Sequence, residues 1–254
     1  MRVDAIYMAP VKSLAMNRVD QAVVDKYGIV GDRRFFMIDA QDKLFTVRDY
    51  FPFLQVHVEY DPVAERLALS FPDGSTAEGT PEPDDAEIAV DFHGHRDVRG
   101  RAVSGPFAEA LSTFAGQPLR LLRVSGENAM DGFPISMVSR ESLAALAKVA
   151  GRDSDDGRRF RQNVYFDGAS APHEEDTWIK RDVRVGADLI VRGVMQDERC
   201  VVTTRDPDTG EHEMNTLKLI ASYRTDQPKQ ITFGVYFYVK EPGEISVGDT
   251  LSVS

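Results

Sequence analysis

The chain has 254 residues, ample for one large domain or two smaller ones, and its 42% hydrophobic and 28% charged content is that of an ordinary globular protein. A formal net charge of -11 argues against general nucleic-acid binding, because an acidic surface repels a phosphate backbone. The single cysteine excludes an intramolecular disulfide, a cysteine-ligated iron–sulfur cluster and a Cys-type structural zinc site built by this chain alone. The segment Met1 to Tyr7 has no apolar signal core, and no apolar run is long enough to span a bilayer. The expectation is a soluble, cytoplasmic protein with no membrane association.

In chain order, short β-type runs dominate: Arg34 to Ile38, Leu54 to Val58, Arg66 to Phe71 and Glu87 to Val90, each bounded by Gly, Pro or Asp. Leu54, Val56 and Val58 alternate with polar residues, as on a half-buried strand. Pro72 to Asp85 reads as a loop by composition. Two helices are predicted. One is capped by Ser104, with Pro106 in its first turn, an apolar face of Phe107, Leu111 and Phe114, and a stop at Gly116. The other starts near Ser139, carries Leu143, Leu146, Ala147 and Ala150 on one face, and ends at Gly151. Strands return at Gly186 to Val194, Arg199 to Arg205, Phe233 to Val239 and Ile245 to Val253, with a hairpin turn at Asp206 to Gly210. The reading is a mainly β, α+β fold with barrel-like sheets. It has two β-rich lobes, residues 1–100 and 101–254, and a few peripheral helices.

No glycine-rich dinucleotide fingerprint, P-loop, His-Glu-x-x-His zinc motif or Gly-x-Ser-x-Gly elbow is present. His93 and His95 would share one strand face, but without a third ligand they read as surface histidines. Three basic clusters stand out: Pro10-Val11-Lys12-Ser13, Gly31-Asp32-Arg33-Arg34, and Arg158 to Asn163 ahead of the strand Val164 to Phe166. Lys, Ser and Arg near turns are components of a phosphate grip, and three such clusters fit an anionic ligand bridging distant segments. Ordinary surface ion pairing with the acidic residues is the alternative. Cys200 follows Arg199. A guanidinium beside a thiol favours thiolate, which is both a nucleophile and a soft-metal ligand. The plainer alternative is a small buried hydrophobe.

These motifs run in a fixed order. Pro10-Val11-Lys12-Ser13 comes first, then Gly28-x-x-Gly31-Asp32-Arg33, Asp131-Gly132-Phe133-Pro134, Arg159-Phe160-Arg161-x-Asn163 and Glu174-Glu175-Asp176-x-Trp178. Arg199-Cys200-Val201-Val202-Thr203-Thr204-x-Asp206-Pro207-Asp208-Thr209-Gly210, Phe233-Gly234-Val235-Tyr236 and Gly243 with Val247-Gly248-Asp249 follow. Over nearly the whole chain this order resembles MOSC-domain proteins preceded by a MOSC N-terminal β-barrel domain, of the type of the mitochondrial amidoxime-reducing component and its bacterial counterparts.

The resemblance implies two β-rich lobes holding a molybdenum cofactor, a pyranopterin that binds the metal through a dithiolene and ends in a phosphate. By position, Cys200 would be the protein's metal ligand. Lys12, Ser13 and Arg33 would hold the phosphate and its surroundings, Arg161 and Asn163 the pterin, and Arg199 would support Cys200. Asp131 would lie on a loop approaching the cofactor and is a candidate catalytic residue. The implied reaction is reduction of N-hydroxylated small molecules to the amine or amidine plus water. Electrons would come from a separate protein, a ferredoxin or a cytochrome b5-like carrier with its flavin reductase. The alternatives are a molybdenum-cofactor or sulfur carrier using a Cys200 persulfide, and an interaction module with an inert Cys200. Two departures from the family pattern stand out. Asp197 and Glu198 occupy positions where relatives carry small or cysteine residues, and Gln162 stands for a common Pro, a change that reads as neutral.

Overall fold

The structure, a computed structural model, describes residues 1–126, 128–154, 156–225 and 231–254. It is mostly strand, and its described helices, α1 (Phe107–Ala115), α2 (Arg140–Val149) and α3 (Thr216–Tyr223), lie outside the sheets. An eight-stranded sheet runs in the order Leu251–Val253, Asp182–Val185, Leu189–Glu198, Thr232–Glu241, Ile135–Ser139, Val164–Asp167, Arg2–Met8, Asn17–Val19. A five-stranded sheet orders Pro83–Phe92, Arg96–Val103, Leu119–Val124, Phe35–Asp39 and Leu44–Phe45. Two three-stranded sheets complete the set, and none of the four closes into a barrel. The β-rich α+β expectation holds, with open rather than closed sheets.

Two large hydrophobic clusters stand out among the described residues. One gathers Ile6, Met137, Phe166, Trp178, Val235 and Phe237, and the other Phe35, Met37, Phe53, Leu67, Phe107 and Leu121. Each such side chain contributes about 1.5–3 kcal/mol when fully buried. The first strand, Arg2–Met8, lies in the sheet of the C-terminal strands, antiparallel to Val164–Asp167. The chain then crosses to the other core: Val11 bridges Phe35, and Lys12 N–H donates to the Phe35 carbonyl at 2.8 Å. This crossing puts the first basic cluster between the two cores.

Local chemistry explains where the sequence expectations hold and where they fail. α2 starts at Ser139, whose hydroxyl accepts from the Ser142 N–H, and Gly151 ends its turn with φ +69°. α1 begins after Pro106 without a side-chain cap, because Ser104 instead donates its N–H to the Glu82 carbonyl. α3 was not expected. Asn215 caps it by accepting from the Lys218 N–H at 3.1 Å. The β-branched run after Cys200 is a 3₁₀ turn, Val201–Thr204, rather than a strand. The Thr203 and Thr204 hydroxyls donate to carbonyls three residues back, at 3.0 and 2.7 Å. The segment Ile245 to Val253 breaks at Gly248, φ +93°, so its halves join different sheets. Phe51–Gln55 is 3₁₀ and the strand starts at His57, while the composition-defined loop Pro72 to Asp85 contains the strand Thr76–Gly79. His93 and Gly94, at φ +59° and +76°, turn a hairpin rather than lie along a strand. The turn at Asp206 is as expected, its carboxylate accepting from the Asp208 and Thr209 N–H groups. Among the described residues no helix is long and apolar enough to cross a membrane.

Candidate functional site

A cavity of about 640 Å³ brings Lys12, Ser13, Arg33, Asp131, Arg161, Arg199 and Cys200 together on its walls. Asn163 is the exception among the expected site residues. It is fully buried behind the wall, where its Nδ2 donates to Asp32 Oδ2 at 2.8 Å and to the Tyr7 carbonyl at 3.2 Å.

The cationic end is built on unusual backbone. Ser13, Arg33 and Arg161 have φ of +79°, +45° and +54°. Side chains with a Cβ pay for this left-handed geometry, and such strain concentrates at functional sites. Hydrogen bonds lock it in place. Asp32 Oδ1 accepts from the Ala9 N–H at 2.7 Å, and both Asp32 oxygens accept from Arg33 Nη1, at 2.7 and 2.6 Å. Arg33 Nη2 donates to the Arg161 carbonyl at 3.1 Å, and Arg161 Nη2 to the Leu14 carbonyl at 2.7 Å. Lys12, buried at 7% exposure, sets its ammonium 2.7 Å from Asp131 Oδ1 and 5.3 Å from the centre of the Phe92 ring.

The electrostatics of this end are unbalanced. Burial lowers the Lys12 pKa, Asp131 opposes the shift, and Arg33 and Arg161 push it further down. Burial and then Arg33 likewise lower that of Arg161. Burial would raise the Asp131 carboxyl, but Lys12, His93 and Arg33 outweigh it and hold the group below the usual carboxylate range. Cations that depress one another in one cavity are the arrangement a bound anion stabilises.

The other end carries the thiol. Cys200 is exposed, so the buried-hydrophobe alternative fails. Arg199 does not offer a free charge beside it. Its guanidinium pairs with buried Asp197, donates to the Phe160 carbonyl and lies over the Phe160 ring at 5.4 Å. Arg199 Nε is buried with no hydrogen-bond partner among the described residues. Gln162, read as a neutral change, takes part in the internal hydrogen bonding. The residue is fully buried, and its Nε2 donates to Asp197 Oδ2 at 3.0 Å and to the Phe233 carbonyl at 3.2 Å.

Other wall residues were not assigned from sequence. The Tyr236 hydroxyl faces Asp197, and burial raises its pKa well above the ordinary value, so it remains a phenol. Its ring lies so close to Gly132 that an added Cβ would come within 2.9 Å. Asp32, the electrostatic hub of the cationic end, was inside a quoted motif but had no role attached. His93 and His95, read as surface residues, are exposed and line the mouth. His93 Nε2 lies 3.8 Å from Asp131 Oδ1, too far for a hydrogen bond.

The residues fit an anionic cofactor that brings its own metal ligands. The cationic end supplies charge and aimed donors, and the other end supplies one accessible thiol. Among the described residues no group of three or more His, Cys, Asp or Glu could hold a metal ion on its own. A metal here would need further ligands from the cofactor itself.

Comparison with known proteins identifies the family. The MOSC N-terminal beta barrel domain model matches residues 1–116, and the MOSC domain model matches residues 122–252. The mitochondrial amidoxime-reducing component 1 of Mus musculus is 25% identical over 96% of this chain and 79% of its own length. The human protein of the same name is 34% identical over 47% of this chain, an alignment that spans 36% of that relative. Among solved structures, the YUAD protein of Bacillus subtilis aligns over 99% of this chain and 94% of its own, at 15% identity and a TM-score of 0.46. The chain belongs to the MOSC-domain family, with a MOSC N-terminal domain preceding the MOSC domain.

Proposed function

We propose that this protein is a molybdenum-cofactor oxidoreductase that reduces N-hydroxylated small molecules with electrons from a separate redox protein. The observation that carries the reading is the convergence of Lys12, Arg33 and Arg161 on one cavity that also bears the chain's single thiol. Lys12, Ser13, Arg33 and Arg161 would hold the anionic tail and the pterin, with Asn163 supporting them through Asp32. Cys200 would ligate the metal, and Arg199 would fix its position. When bound, the cofactor supplies the two-electron chemistry that removes oxygen from nitrogen. In balance, an amidoxime, two electrons and two protons give an amidine and water, with the N–O bond broken.

The protein's own part is binding and orientation. Asp131, held ionised by Lys12, is a hydrogen-bond acceptor at neutral pH, suited to orient an N–OH or N–H donor at the mouth. Arg96 Nη2 donates to the Asn128 and Met130 carbonyls and so fixes the loop that presents Asp131. The electron donor in this reading is a ferredoxin or a cytochrome b5-like carrier with a flavin reductase, and the compartment is the cytoplasm.

The test is reduction of benzamidoxime to benzamidine by protein from a cofactor-competent host, with chemically reduced viologen as donor. Turnover that is lost in Cys200→Ser supports the reading; no turnover by molybdenum-loaded wild type overturns it. The exposure of Cys200 favours one second reading, a sulfur carrier. That reading requires the added mass of one sulfur on Cys200.

A further inference from the structure

Asp197 and Gln162, both read from the sequence as departures from the family pattern, meet inside the molecule. Asp197 is 3% exposed and Gln162 is fully buried. The strand Leu189–Glu198 slips register between Gln196 and Glu198 against Thr232–Glu241. A bulge of this kind re-aims a side chain, and here Asp197 turns inward while Glu198 faces out. Its Oδ2 receives Gln162 Nε2 at 3.0 Å and Arg199 Nη1, and the Tyr236 hydroxyl faces the same carboxylate. Space for Gln162 comes from Gly234, at φ +85°, where an added Cβ would lie 2.6 Å from Gln162 Nε2.

We propose that Asp197 is a positioning residue that holds the segments carrying Cys200 and Arg161 in one arrangement, with Gln162 as its partner. Gln162 is the neighbour of Arg161, and Arg199 is the neighbour of Cys200. One buried carboxylate bonds to both neighbours, and Arg199 also donates to the carbonyl of Phe160 on the other side of Arg161, so the two segments are tied together. An ordinary core ion pair would need Arg199 alone. The Gln162 bond adds nothing to charge balance and serves geometry instead. The inference rests on the cavity's being a ligand site, as the proposed function has it, but its test does not need the cofactor.

The experiment uses the metal-free full chain, where Cys200 is the single thiol. Gln162→Leu removes the Asp197–Gln162 bond and leaves the Asp197–Arg199 pair and the Arg199–Phe160 carbonyl bond in place, so it is the milder of the two variants. N-ethylmaleimide alkylation of Cys200 should quicken. Pyrophosphate binding should weaken in the same variant, and a thermal midpoint within a few degrees of wild type would exclude general unfolding. Asp197→Asn, where folded, should give the same pair of changes, and the double variant should add little to either. An unchanged alkylation rate and pyrophosphate affinity in a stable Gln162→Leu protein would overturn the proposal. If the wild type fails to bind pyrophosphate, the proposed function is weakened, and the alkylation rate alone decides the tie.

Discussion

The two ends of the cavity hold their charges in opposite ways. At the cationic end Lys12, Arg33 and Arg161 share the carboxylates of Asp32 and Asp131, and the backbone is strained at Ser13, Arg33 and Arg161. At the thiol end Arg199 and Asp197 balance each other inside the protein, and the strain is absent from Cys200, whose φ is an extended -113°. Excess charge on a costly backbone belongs to recognition of an outside partner. A balanced buried pair belongs to holding a neighbouring atom still. In the proposed function the two ends divide the work, one gripping an anion and the other fixing a soft ligand.

The largest effect separates framework from grip. Arg33→Ala leaves Asp32, 5% exposed, without its counter-charge, and should cost about 3–5 kcal/mol in chemical denaturation. A loss below about 1 kcal/mol would mean that Asp32 does not depend on this pair. Next in size is binding. Lys12→Met and Arg161→Met should each weaken pyrophosphate affinity by about 10- to 100-fold, the worth of one charge-assisted hydrogen bond. Cys200→Ser should leave that affinity unchanged. Equal losses at both ends would abolish the division.

A smaller effect is pH dependence. Burial lowers the Lys12 pKa, so the free protein sheds this proton at a lower pH than an exposed lysine does. An anion favours the charged form, so affinity is full below the free-protein pKa and falls as pH rises through it. Sulfate, whose charge is constant over the alkaline range, should bind more weakly there, with proton uptake visible by calorimetry. Lys12→Met should flatten the profile. The smallest effect is at Asp131, which is half-exposed, so its ion pair is screened by solvent. Asp131→Asn should cost no more than about 1 kcal/mol of stability. It should lower benzamidoxime turnover while molybdenum stays bound, and unchanged turnover would remove Asp131 from the mechanism.

What was legible in the sequence follows from range of interaction. The start of α2 and the turn at Asp206 are local bargains between a side chain and nearby backbone, so Ser139 and Asp206 announce them. The wall residues Lys12, Ser13, Arg33 and Arg161 stood out as basic clusters near turns and Cys200 as a lone thiol, and the family resemblance gave each its role. The run after Cys200 misled because β-branched threonines favour strands until their hydroxyls bond back to the chain. The Gln162–Asp197 bond was invisible: 35 positions separate its partners, and nothing local to either points to the other. Placement of Arg2–Met8 among C-terminal strands was equally hidden, since pairing with Val164–Asp167 is a property of the folded whole.

The most direct measurement is molybdenum and pterin content of protein made in a cofactor-competent host, beside Cys200→Ser. The two-ended cavity predicts near-stoichiometric metal in the wild type, with metal or benzamidoxime reduction lost in the variant. Wild-type protein with neither molybdenum nor pterin would contradict it.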